Sequence, residues 1–218
     1  MGTSDLDRQP LAHRERALLA DLCDELGPES PTLCDGWLTK DLIAHLVMRE
    51  RHPAAAGILV RPLRSWAERT QHDLAQRPYG ELVDRFRRGP AGVSPLRLPG
   101  AQVTFNTFEH FVHHEDVRRA LPAWQPRDLT PADNQTLWQQ LTARAKLLLR
   151  GAPIPVRLES SDGGQITVGD VDTDDALTLA GTASELVIYL HGRRSHAHVS
   201  VEGPADAQEA WDRHVIRI

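Results

Sequence analysis

Apolar positions recur at helical spacing from the start of the chain to Gly151, and at strand spacing beyond it. Leu11, Leu18, Leu22 and Leu26 predict one face of a first helix, which Gly27-Pro28 ends. A loop then leads through Cys34-Asp35-Gly36-Trp37 to Thr39, an expected N-cap with Asp41 in the first turn behind it. Leu42, Ile43, Leu46 and Val47 form the core face of this second helix, with His45 on its flank and Pro53 closing it. Pro62 is placed to open a third helix, whose inner side should carry Leu63, Trp66, Thr70 and Leu74. An amphipathic segment from Tyr79 to Arg88 stops at Gly89-Pro90, and a Gly- and Pro-rich loop follows.

The stretch from Phe105 to Ala120 organises the rest. On a helix, Phe105, Phe108 and Val112 align as an apolar stripe. Glu109 and Asp116 project from the same side, and His113 from its flank. His110 and His114 turn away by about half a turn. Glu109 and His113 are thus an i, i+4 pair at the edge of a face expected to be buried. An ionised carboxylate there needs a partner, either an ion pair or a divalent metal. The next helix has Thr130 as N-cap, Pro131 at its first position and Asp133 behind it, and runs through Leu137, Leu141 and Leu148 to Gly151.

After Gly151 the period is two. Strands are expected at 154–159, 165–168, 176–180 and 197–202, with a turn at Ser161-Asp162-Gly163-Gly164. Thr182 and Glu185 form a capping box for a helix ending at His191-Gly192, and a short helix begins at Asp206. The reading is an α+β chain: a helical bundle over 1–151 and a small α+β domain over 152–218.

Composition narrows the function. Hydrophobic residues make up 40% of the 218, which suits a packed core. The net charge of -5, with Lys and Arg scattered, argues against a nucleic-acid or membrane-surface partner. The acidic, polar N-terminus is unlike a signal peptide, and the longest apolar runs are too short to span a bilayer, so a cytoplasmic location is expected. Cys23 and Cys34 lack the spacing of a redox or zinc motif. Cys23 is expected in the core and Cys34 in a loop.

A bundle brings side chains from facing helices into one core. His45 on the second helix with Glu109 and His113 on the central one would make a two-histidine, one-carboxylate set, with Asp116 one turn on to orient a ligand. Such a set could activate a bound water or thiol. His110 and His114 stand beside it and leave a shifted set open.

Three segments carry a resemblance. Trp37 followed by Asp41-Leu42-Ile43-Ala44-His45-Leu46, then Glu109-x-x-x-His113-x-x-Asp116, then Leu186 to Leu190 with His191-Gly192-Arg193, resemble in order the motifs of the mycothiol-dependent maleylpyruvate isomerase family. The resemblance implies a DinB-like four-helix bundle holding a divalent metal, usually zinc, on His45, Glu109 and His113. It implies a C-terminal domain similar to sterol-carrier proteins, mycothiol as the thiol cosubstrate, and Arg193 as a catalytic residue. The reactions it implies are cis–trans isomerisation of a small acidic electrophile or thiol transfer to one. A zinc hydrolase without thiol and a non-catalytic metal- or ligand-binding protein are the alternatives.

Overall fold

The computed structural model describes residues 9–91, 101–170 and 176–216, with 59 and 101–105 in backbone only. The chain is α+β. Its residues gather into two compact units, Met1–Trp124 and Gln125–Ile218.

The first unit is helical: α1 (Leu11–Leu26), α2 (Thr39–Arg51), α3 (Arg64–Ala75), α4 (Tyr79–Arg87) and α5 (Ala101–Arg118), with short helical turns between α2 and α3. α1 packs on α4 and α5, and α2 on α3 and α4. Leu19, Ala20 and Cys23 of α1 meet Leu42, Ile43, Leu46 and Val47 of α2, Leu82, Val83 and Phe86 of α4, and Val117 of α5. The start of α2 differs from expectation by one residue. Leu38 is the N-cap, and its N–H donates to Asp41 Oδ2 at 3.1 Å. The Thr39 hydroxyl is spent on the Gly27 carbonyl, 2.5 Å away, which ties α2 to the end of α1.

Two helices bury faces that hydropathy misses. In α1, Leu18 is 41% exposed and Leu19 is buried, because the inward face includes Glu15 and Arg16 rather than a leucine stripe. At α3, Leu63 just before the helix and Trp66 within it are exposed and Ala67 is buried, which brings Gln71 to the inner side with Leu74. On α5, Phe108 and Val112 are buried as expected; the side chain of Phe105 lies outside the described residues. His110 and His114 turn from the Glu109 side, as expected, and enter a second buried face.

That second face is ionic. Glu50 Oε1 accepts from Arg16, from His110 Nε2 at 2.9 Å and from Asn106 Nδ2 at 3.1 Å. His110 Nδ1 donates to the Ala12 carbonyl at 2.7 Å. His114 Nδ1 pairs with Glu15 Oε2 at 2.8 Å, and Glu115 takes Arg119 at 2.5 Å and Arg118 at 2.9 Å. Burial opposes the charge on Glu50, yet His110 and Arg16 outweigh it and hold the carboxyl below the usual range.

The second unit combines α6 (Pro131–Leu148), β1 (Val156–Ser160), β2 (Gln165–Val168), β3 (Leu177–Gly181), α7 (Ala183–Leu190), β4 (Ser200–Glu202) and α8 (Ala205–Asp212). The sheet order is β2-β1-β3-β4; β1 and β3 are parallel and the outer pairs antiparallel. Every residue of α7 is buried, since α6 covers one side and the sheet another. The unit boundary therefore falls at Trp124/Gln125, and Gly151, the expected boundary, lies inside the second unit. Gly151 marks where helix gives way to strand, but α6 packs on α7 and β2 and counts with the sheet. The contact is close: a Cβ on Gly164 would lie 2.4 Å from the Trp138 ring.

Glu50→Ala removes the acceptor shared by Arg16, His110 and Asn106. Breaking a buried ionic group in this way is expected to lower the unfolding free energy by about 3–5 kcal/mol. Urea unfolding followed by circular dichroism measures it, and a change within the error of wild type would show that this face is not held by Glu50.

Candidate metal centre

His45, Glu109 and His113 come together. Each offers a ligand atom, and these atoms all lie within 4.8 Å of one another. His45 reaches the group because it flanks the core stripe of α2, and the other two because they are one turn apart on α5. The two imidazole rings meet edge to face with centroids 5.7 Å apart, and the Trp37 ring packs on His45 at 5.0 Å.

Each ring is oriented from its far nitrogen. His45 Nδ1 donates to Gln71 Oε1 at 3.3 Å, and Gln71 Nε2 is itself held by the Asp41 carbonyl at 3.4 Å. His113 Nδ1 pairs with Asp116 Oδ2 at 2.9 Å. The Nε2 atoms are left for the centre, and that of His113 lies 3.6 Å from Glu109 Oε2. A hydrogen bond on the outer nitrogen is what fixes the tautomer of a metal-ligating histidine. Asp116, fully buried, thus takes the orienting place expected for it.

Burial, reinforced by the nearby charge of His113, pushes His45 down to about 4, so its ring is neutral at physiological pH. Burial also works against charge on His113, but the hydrogen bonds to Asp116, Cys34 and Glu109 outweigh it and raise its pKa well above the ordinary value. Glu109 is held far below the usual carboxylate range: burial opposes this, and His113 and Arg49 overcome it. Arg49 Nε lies 3.3 Å from Glu109 Oε1, and its Nη1 donates to Asn106 Oδ1 at 2.6 Å. Arg49 therefore joins the centre to the ionic face around Glu50.

Three participants escape the sequence reading. Gln71 sits on a helix whose inward phase hydropathy misassigns. Arg49 is one turn after His45, a spacing that gives a usable signal only once His45 is taken as a ligand. Cys34, expected only as a loop residue, donates from Sγ to Asp116 Oδ2 at 3.1 Å, with His113 Nδ1 at 3.7 Å. A tight turn carries it there. Trp37 N–H donates to the Cys34 carbonyl at 2.9 Å across Gly36, whose φ of 73° favours glycine. Leu33 N–H pins the loop to the Asp116 carbonyl at 3.0 Å.

The shifted ligand set that His110 and His114 left open is not what the described residues assemble; both are engaged with Ala12, Glu50 and Glu15. Arg193 lies in the second unit, half-buried just after α7 and Gly192, and donates from Nη1 to the His191 carbonyl. Among the described residues, no helix is long and apolar enough to cross a membrane.

No model of a known protein family matches the sequence, and no curated protein matches it. One solved structure does match in fold, a crystal structure of the mycothiol-dependent maleylpyruvate isomerase. The superposition covers 89% of this chain and 92% of that one, with a TM-score of 0.59 and 16% sequence identity. The shared architecture is a helical domain followed by a small α+β domain, the fold class expected from the sequence.

His45→Ala and His113→Ala are each expected to purify without stoichiometric zinc, while His114→Ala keeps it and loses about 1–3 kcal/mol of stability with its buried bond to Glu15. Elemental analysis beside denaturant unfolding reads both effects. Full zinc occupancy in His113→Ala would mean that another histidine is the ligand.

Proposed function

We propose that this chain is a zinc-dependent enzyme that works with a low-molecular-weight thiol, mycothiol, on a small acidic electrophile. The reaction is either cis–trans isomerisation, as in maleylpyruvate isomerase, or thiol transfer. The observation that carries the reading is the convergence of His45, Glu109 and His113 with both rings locked from behind. Two imidazoles and one carboxylate are a donor set that suits zinc, and three protein ligands are the number typical of its catalytic sites. Zinc held there would supply Lewis acidity, favouring a thiolate over a thiol near neutral pH.

The chain's own residues set the rest. Gln71 and Asp116 keep the ring nitrogens aimed at the centre. Trp37 shields one side of His45 from water. Glu109 and Asp116 bring two negative charges and Arg49 one positive, so a divalent ion leaves one positive charge in excess. A single thiolate balances it, which favours a thiol ligand over a neutral one. Addition of the thiol sulfur to an activated cis double bond makes that bond single, rotation follows, and loss of the thiol restores the double bond as trans. If the electrophile bears a leaving group, the same attack transfers the thiol. The resemblance implies Arg193 as a catalytic residue, and its planar two-pronged donor suits a substrate carboxylate.

The test is turnover of a panel of cis-enoic acids and alkylating electrophiles by zinc-loaded protein, with and without mycothiol, together with a thermal shift for mycothiol alone. Mycothiol is expected to raise the melting temperature and to be required for turnover. Arg193→Ala should keep its zinc and its fold but lose at least about tenfold in turnover, the cost of a charge-assisted contact of roughly 1.5–3 kcal/mol. Zinc-dependent ester or amide hydrolysis indifferent to mycothiol would replace this reading with a hydrolase.

A further inference from the structure

The imidazole of His113 has two sides, and the centre proposed above uses only one. On the Nδ1 side, Cys34 Sγ, His113 Nδ1 and Asp116 Oδ2 form another set of three ligand atoms, all within 4.8 Å of one another. Their separations are 2.9 Å from His113 to Asp116, 3.1 Å from Cys34 to Asp116 and 3.7 Å from Cys34 to His113. Donor atoms around a four-coordinate zinc ion stand about 3.3–3.7 Å apart, and somewhat farther apart around the larger cadmium ion. The thiol–imidazole pair is already near that spacing, and the two carboxylate pairs need to open by at least roughly half an ångström. Asp116 and the His113 ring are fixed on α5, and Cys34 is in a turn pinned to the same helix end. The half-exposed Cys34 is also the softest donor in either set.

We propose that Cys34, His113 and Asp116 form a second metal seat, selective for thiophilic ions of the cadmium type. A thiolate favours such ions over the harder ones that a carboxylate and two imidazoles accept. When the ion binds, the Cys34 thiol proton and the proton on His113 Nδ1 both leave to solvent, and the ring, now neutral, keeps its proton on Nε2. A neutral imidazole has one lone pair, so it serves one seat at a time. Occupation of the Cys34 seat therefore withdraws His113 from His45 and Glu109. The seat makes the centre sensitive to thiophilic metals, a property separate from the proposed reaction, with which it shares His113 and the carboxylate of Asp116 that orients it.

The experiment is titration of metal-free, full-length protein with Cd2+, read by the ultraviolet thiolate-to-cadmium charge-transfer absorption. One equivalent is expected to saturate the signal in wild type and to release zinc when zinc is bound beforehand. Cys34→Ser, nearly isosteric, should abolish the absorption yet keep its zinc, and Asp116→Asn should weaken cadmium binding by at least about tenfold. His45→Ala should retain the absorption, because His45 is outside this seat. Absence of the signal in wild type, its persistence in Cys34→Ser, or its loss in His45→Ala would each overturn the second seat. Failure of the zinc-enzyme reading shows up elsewhere, as wild-type protein without zinc or without thiol-dependent turnover.

Discussion

A helix buried on both sides while carrying ionisable residues on both must have each of them partnered. α5 is in that position: Glu109, His113 and Asp116 face one way, and His110 and His114 the other. A lone buried charge would cost several kcal/mol, comparable to the whole stability of an ordinary domain. Much of the helical unit can be understood as the set of partners this demands. α1 supplies Glu15, Arg16 and the Ala12 carbonyl, α2 supplies His45, Arg49 and Glu50, α3 supplies Gln71, and the loop before α2 supplies Cys34.

The two faces solve the problem differently. Around Glu50 the charges neutralise each other within the protein, which makes that face a structural brace. Around His113 the bonds run outward, to Gln71 and Asp116, and the inner nitrogens are left against a carboxylate. Two rings tied from behind and a carboxylate in front are organised for something positive between them. Arg49 links the faces, so the brace also limits how far Glu109 can swing.

What could be read from the sequence follows from the range of the contacts. Glu109, His113 and Asp116 share one helix, so helical periodicity alone relates them. His45 was visible because a histidine beside a run of leucine, isoleucine and valine is forced to the core edge. The fold class followed from the switch of period near Gly151. Cys34 was not visible, because 82 residues separate it from Asp116 and no local pattern encodes that meeting. The phase of α1 was misread for a related reason: Glu15 and Arg16 lie inward only because His114 and Glu50 await them, and hydropathy ranks both as outward. The unit boundary lies at Trp124/Gln125 and not at Gly151 because α6, amphipathic like its predecessors and so expected to pack with them, packs on α7 and β2.

The central claim is that His45, Glu109 and His113 hold zinc and leave it open to a thiol. Zinc-edge X-ray absorption of the loaded protein in solution tests that directly. The account predicts a first shell of light atoms with imidazole scattering and no sulfur, gaining one sulfur when mycothiol is added. A shell without imidazole scattering, or one that mycothiol leaves unchanged, would contradict it.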